Sequence, residues 1–319
     1  MKYRSLGRTG LQCSEIGLGT WAFASQIYGA VSESAAVDTI RAALDAGINF
    51  YDTAPLYGTK ERDGIAEEIL GKGLAGKREH VIISSKFGRY VSDGNQPNFH
   101  ARRARESVTA SLRRLDTEFI DIVFFHSPFG PDEIHDDVWQ ALGDLKREGK
   151  IRYVGHSISM FQNTEQMARQ WAVERKIDVI QVVYSLVNRE STQLIAELGA
   201  QQIGIVARES LANGFLSGKL TKATVFDSNN LNSRYSRAEI AERIDYVDRL
   251  RFLVRGDVNT MPQAAMRWVL DNPHVSLVLS GAKSRQEILD CAAASDVKPY
   301  SDAERQRAAA LHTRDFQAA

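Results

Sequence analysis

Short runs rich in β-branched and aromatic residues alternate along the chain with longer segments of helical period. The runs SEIGLGTWA, INFYDTA, HVIISSKFG, IDIVFFHSP, IRYVGHSIS, DVIQVVYSL, GIVARESL and VSLVLSGA read as eight strands. Between them Val37, Ile40 and Leu44 share one helical face, as do Val108, Leu112 and Leu115, and then Ile134, Val138, Leu142 and Leu145. Most of the strands are apolar on both faces in their first half, the mark of a parallel sheet covered on both sides. The pattern predicts an α/β fold, a (β/α)8 TIM barrel with long βα loops at its C-terminal face. A doubly wound open sheet is the rival arrangement. A β-hairpin, YRSLGRTGLQCS, precedes the first strand with its turn at Gly7 to Gly10, and SDAERQRAAALH reads as a helix outside the repeat. From Asn213 to Asn259 a long polar stretch separates the seventh strand from its helix, as in a functional lid or a partly disordered loop.

With 319 residues, 43% of them hydrophobic, one barrel domain over residues 1–319 accounts for the chain. Basic and acidic side chains balance at 40 each, so bulk charge favours neither a nucleic acid nor a membrane surface. No apolar run approaches the roughly 18 residues of a membrane span, and MKYRSLGRTG lacks the apolar core of a signal peptide. Cys13 and Cys291 are far apart, without metal-ligand spacing, and read as free thiols of a reducing cytosol. The expectation is a cytoplasmic protein with a small-molecule substrate, no metal and an oligomeric state the sequence leaves open.

In a barrel of this kind chemistry sits at the C-terminal ends of the strands. The second strand ends in Asp52, with Tyr57 in the loop beyond it; the third ends in Lys86 and the fourth in His126. Taken singly, Asp52 reads as a cap, Tyr57 as a rim aromatic, Lys86 as a snorkelling base and His126 as a core histidine. Their coincidence at one end of consecutive strands points to a joint site. A phenol, ordinarily near pKa 10, becomes a usable proton donor and acceptor when a cation beside it lowers that value. Lys86 is the cation, Asp52 holds the ammonium, and His126 orients a carbonyl oxygen. Such a site protonates an oxygen while a hydride reaches the carbon, so it requires a hydride-carrying cofactor.

Gly17-Leu18-Gly19-Thr20-Trp21-Ala22 has the outline of a dinucleotide fingerprint, but no helix opens at its second glycine. As the end of the first strand, Thr20 and Trp21 line the pocket mouth instead. A better phosphate site is LSGAKSRQEIL, where Ser284 and Glu287 form a capping-box pattern and Lys283 and Arg285 add charge. The pocket walls are expected from Trp21, Phe23, Tyr28, Phe87, Phe129 and the loop after Gly214.

Several stretches together carry a family likeness: YRSLGRTGLQCSEIGLGTWAF, GINFYDTAPLYG, EEILGKGL, SSKFG, SLRRLDTEFIDI, LKREGKIRYVGHS and NGFLSGK. The chain resembles the aldo-keto reductases nearly end to end, on the branch that includes potassium-channel β subunits. The resemblance implies a catalytic tetrad of Asp52, Tyr57, Lys86 and His126, with the tyrosine as general acid in reduction and base in oxidation. It implies an extended nicotinamide cofactor touching Thr20, Trp21 and Asp52, with Ser157 and Gln181 at the carboxamide and Arg208 in place of a stacking aromatic. Ser210, Leu211, Ala212, Asn213 and Lys219 would wrap the pyrophosphate, Arg237 would grip a phosphate, and Gly281, Lys283, Glu287 and Asp290 would meet the adenosine end. Ile158 and Cys291 replace asparagines usual in the family. Glu287 would repel a 2′-phosphate while Lys283 and Arg237 favour it, which tips the expectation to NADP(H) over NAD(H). The activity implied is carbonyl–alcohol interconversion on an aldehyde, ketone or sugar. A regulatory cofactor-binding protein and an epimerase using the cofactor transiently are the alternatives; channel β subunits carry Asn at the slot His126 fills here.

Overall fold

A computed structural model describes residues 1–24, 29–228 and 230–316 of the chain. Eight parallel strands close into a barrel: β3 (Ile16–Gly19), β4 (Phe50–Asp52), β5 (Ile82–Phe87), β6 (Ile120–His126), β7 (Ile151–Ser157), β8 (Val179–Val183), β9 (Gly204–Arg208) and β10 (Leu277–Ser280). Each pairs with its sequence neighbour, and β10 returns to β3 through Val278 opposite Ile16. Closure leaves the barrel no free edge, and the open-sheet rival is set aside. A short antiparallel hairpin, β1 (Tyr3–Ser5) and β2 (Gln12–Ser14), precedes the barrel.

The period-2 alternation of side chains divides the core in two. One set faces the axis, where Phe50, Ile122, Phe124, Val179, Val206 and Leu277 pack with Leu6 and Cys13 of the hairpin region. The hairpin thus plugs the lower end of the barrel. Gly155 makes room on β7: a Cβ there would meet the Phe124 ring at 2.3 Å. The other set, including Tyr51, Ile83, Phe87, Val123, Phe125, Val154, Ile180 and Ile205, packs outward against the helices.

Those helices are α1 (Trp21–Ala24), α2 (Glu33–Asp45), α3 (Ile65–Gly73), α4 (Ala101–Leu115), α5 (Asp137–Arg147), α6 (Phe161–Val173), α7 (Thr192–Ala200), α9 (Met261–Leu270) and α10 (Arg285–Ala292). Of these α1 is an extra turn between β3 and α2, and two more helices stand outside the repeat, α8 (Arg237–Arg249) and α11 (Asp302–Leu311). Both open on a full capping box, Ser236 with Glu239 and Ser301 with Glu304, which satisfies N–H groups a short helix otherwise leaves bare. The long polar stretch after β9 is therefore ordered in part as α8. Its Ile240, Ile244 and Val247 pack with Leu250, Leu253, Ala264 and Tyr300 in a separate apolar cluster. Among the described residues no helix is long and apolar enough to cross a membrane.

Candidate active site

The alternation that fills the barrel with apolar groups puts polar ones at the upper end of the same axial rows. Phe50 and Asp52 share a row on β4, Ile82, Ser84 and Lys86 on β5, and Ile122, Phe124 and His126 on β6. Asp52, Lys86 and His126 are 3%, 2% and 7% exposed, so each ionisable group there needs a partner. Lys86 Nζ donates to Asp52 Oδ2 at 2.6 Å, to the Thr53 carbonyl at 2.9 Å and to the Tyr57 hydroxyl at 3.1 Å. Asp52 is held in turn on its other oxygen, where Ser84 Oγ donates at 2.8 Å and Gln181 Nε2 at 2.9 Å.

Tyr57 reaches this group through a tight turn. Its N–H donates to the Ala54 carbonyl and its own carbonyl accepts from Ala66 at the start of α3. Gly58 is required there, since a Cβ would lie 1.9 Å from the Arg62 carbonyl oxygen. The phenol ring stacks on Trp21 at 6.1 Å and meets the His126 ring edge-on at 5.9 Å. The four residues expected to act together therefore form one contact group.

The electrostatics differ from expectation at the phenol. Burial raises the Tyr57 pKa, Lys86 opposes it, Asp52 adds to it, and the net direction is up. The adjacent cation only partly offsets desolvation, so Tyr57 is held as the protonated acid. Burial works against the Lys86 ammonium, but Asp52 and then Tyr57 outweigh it and its pKa is raised. His126 is pushed well below 6.5 by burial first, then by the Lys86, Arg89 and Arg208 cations. A neutral imidazole, a protonated phenol and a paired ammonium stand side by side.

A cavity of about 1550 Å³ opens above them. Of the expected contact residues, Trp21, Asp52, Ser157, Gln181, Arg208, Ser210, Leu211, Asn213, Lys219, Gly281, Lys283, Glu287, Asp290 and Phe129 line it. Ser157 and Gln181, opposite each other on β7 and β8, are joined by a 3.3 Å hydrogen bond. Arg208 at the end of β9 donates to the Ile158 carbonyl at 2.9 Å and pairs with Glu209. Ser284 caps α10, but Glu287 does not complete the box: its carboxylate accepts from the Lys283 N–H and from Lys219 Nζ, each within 2.9 Å. Lys219 thereby ties the loop after β9 to the start of α10.

Several expectations are corrected. Phe87 follows Lys86 by one residue, so it faces the opposite side and packs with Phe99 and Phe125 in the outer core. Phe23 is 4% exposed in that same core. Thr20 lies wholly buried below the cavity, its hydroxyl donating to the Asp52 carbonyl at 3.1 Å, and supports the site without facing it. Strand β3 ends at Gly19, and Trp21 begins a helix. Arg237 is the first residue of α8 and Ala212 sits in the turn after β9; neither lines the cavity. Tyr28 lies outside the described residues. Arg89, Asn95, Met160, Phe161, Glu190 and Asn232 also line the cavity and carried no sequence signal.

Buried polar atoms show what the cavity suits. His126 Nδ1, Arg208 Nε, Asn232 Oδ1 and Ser280 Oγ belong to lining residues and have no hydrogen-bond partner within the chain. Unpaired groups of that kind are costly unless a ligand meets them. These atoms leave hydrogen-bonding capacity for a polar cofactor, whose anionic groups Lys219 and Lys283 of the lining would meet. Among the described residues no group of three or more His, Cys, Asp or Glu could hold a metal ion.

The chain has recognisable relatives among known proteins. The profile of the Aldo/keto reductase family matches residues 15–312. The aldo-keto reductase YhdN of Bacillus subtilis is 36% identical over 294 residues, 89% of this chain and 85% of that protein. A probable voltage-gated potassium channel subunit beta of Oryza sativa subsp. japonica is 28% identical, covering 94% of this chain and 92% of its own length. The solved holo form of aldo-keto reductase AKR11C1 from Bacillus halodurans superposes with a TM-score of 0.80 at 26% identity, over 98% of this chain and 97% of that one.

Proposed function

This chain belongs to the aldo/keto reductase family, and from that premise we propose that it reduces an aldehyde, ketone or sugar carbonyl to the alcohol, with Tyr57 as general acid. The observation that carries the reading is the 3.1 Å contact of Tyr57 with a buried ammonium that is itself bonded to Asp52. Bound reduced nicotinamide cofactor supplies the hydride.

The remaining steps use side chains of the protein and, at the end, one proton from solvent. The substrate oxygen sits between the Tyr57 hydroxyl and a ring N–H of His126, which polarise the carbonyl. As negative charge grows on that oxygen, Tyr57 gives up its proton, and the Lys86 ammonium stabilises the phenolate left behind. Asp52, fixed by Ser84 and Gln181, keeps the ammonium in place, so little reorganisation is needed at the moment of transfer. Positioned proton transfer of this kind contributes roughly 10²–10⁴-fold in rate. Water at the open mouth then reprotonates Tyr57. Run in reverse, the phenolate accepts a proton from an alcohol.

The cofactor reading is NADP(H) over NAD(H). Lys219 pairs with Glu287, so the carboxylate at the start of α10 no longer outweighs Lys283. The protein is read as acting on small molecules in the cytoplasm. A panel of aldehydes, ketones and sugars assayed with NADPH and NADH, following reduced-nicotinamide absorbance, tests the whole reading. The expected result is loss of absorbance matched by alcohol formed, with the lower KM for NADPH. Substrate conversion without net cofactor oxidation would mean an epimerase, and tight cofactor binding with no turnover on any carbonyl would mean a regulator.

A further inference from the structure

Beside the proton-transfer group lies a buried arginine that the chemistry above does not use. Arg89 follows β5 by two residues and is 3% exposed. Its Nε donates to the carbonyls of both His126, at 3.0 Å, and Ser127, at 3.1 Å. Its Nη1 donates to the Asn95 carbonyl at 2.8 Å. Its Nη2 faces Glu133 Oε2 at 3.5 Å without forming a hydrogen bond, while that carboxylate accepts the Phe129 N–H at 2.9 Å. The guanidinium lies 4.0 Å from the centre of the Phe129 ring, which is 45% exposed at the cavity wall.

Two of these contacts fall on left-handed backbone. Ser127 has φ of 54°, a region serine seldom enters, and Asn95 has φ of 61°, where asparagine is better tolerated. Such geometry persists only where neighbours over-determine it. One planar fork of donors bonds the carbonyls of both residues, a task suited to guanidinium and poorly met by an ammonium.

We propose that Arg89 is a positioning residue for the reaction: by clamping the His126 and Ser127 carbonyls and joining the loops after β5 and β6, it sets the His126 imidazole against the substrate oxygen and fixes the wall made by Phe129. The proposal rests on the reading of His126 as the carbonyl's hydrogen-bond donor. The groups around the His126 ring are Tyr57 from the loop after β4, Lys86 on β5 with Asp52 on β4, Arg89 itself, and Arg208 at the end of β9. Arg89 therefore adds one of three cations that disfavour imidazolium, and Glu133 stands behind it.

The test uses the full chain carrying Arg89→Met or Arg89→Lys. In Arg89→Met, kcat should fall on the order of 10- to 100-fold through a misplaced donor, with cofactor dissociation constant unchanged. The His126 ring, followed by NMR of ¹³C-labelled histidine and assigned with His126→Asn, should titrate at higher pH than in the wild type. Arg89→Lys keeps the charge without the fork, so it should leave the titration in place while restoring kcat only in part. A titration and a kcat–pH profile of Arg89→Met that superimpose on the wild type, with only Tm lowered, would overturn the proposal. If Arg89→Met does not fold, full kcat in Arg89→Lys overturns it equally. A wild type inactive on every carbonyl sinks the functional reading instead, and the NMR titration still decides whether Arg89 acts on His126.

Discussion

At the scale of single residues, the proton on Tyr57 sets the pH dependence that the proposed reaction should show. Burial lifts its pKa despite the ammonium beside it, so it carries its proton throughout the neutral range. Because the folded site favours the acid form, carbonyl reduction should be flat in kcat/KM from about pH 6 to 9 and fall only above the phenol's ordinary value of about 10. Alcohol oxidation needs the phenolate and should climb with pH over the same range. Steady-state profiles in both directions check this, and an acid-side optimum for oxidation would contradict it. Asp52, Lys86 and His126 were legible in the sequence because each is a polar end to an apolar run, and Tyr57 because it follows Asp52 in the adjoining loop. Phe87 was misread although the same period-2 rule that points Lys86 inward points its neighbour outward. Arg89 left no trace, since a loop arginine looks solvated until the carbonyls it binds, some 37 residues away, are brought to it.

At the scale of elements, β7 carries a cost that its hydrophobic pattern concealed. His156 alternates with Ser157 and so faces the helices, fully buried at 4.9 Å from Trp171 with neither ring nitrogen bonded. Burial alone pushes its pKa down to about 3 from 6.5. The unfolded chain takes up a proton below 6.5 that the folded chain refuses, so stability is fully present above that pH and is lost as pH falls towards 3. That loss should come to about 2 kcal/mol between pH 7 and pH 5. In His156→Leu urea unfolding should lose this part of the acid slope and gain about 1 kcal/mol at pH 7, the burden of the unpaired N–H. An unchanged slope would mean that His156 is not the group responsible. The loops resist sequence reading for a related reason. Ser127, Met160, Glu209, Ala212 and Asn213 all adopt positive φ just beyond barrel strands, and of these only Asn213 is a residue type enriched there.

For the whole molecule, the apolar plug at the lower end of the barrel and the polar group at its upper end are separate. Leu6, wholly buried, fills the lower end with Phe50, Phe124, Val179 and Leu277. Leu6→Ala should cost about 2–5 kcal/mol in unfolding free energy while leaving kcat of the folded protein unchanged. A drop in kcat comparable to that of a site mutant would show that the two ends are coupled. The barrel, its hairpin and its order of strands were legible because each follows from local periodicity. The ordering of the loop after β9 through α8 and the Lys219–Glu287 tie depends on distant partners and was not. The central claim is that Tyr57 gives its proton to a carbonyl oxygen at the top of this barrel. The measurement that meets it most directly is single-turnover oxidation of bound NADPH by an aldehyde in Tyr57→Phe, with cofactor affinity measured in parallel. Loss of turnover by roughly 10²-fold or more with affinity nearly unchanged is the predicted result, and wild-type hydride transfer in that variant would contradict it.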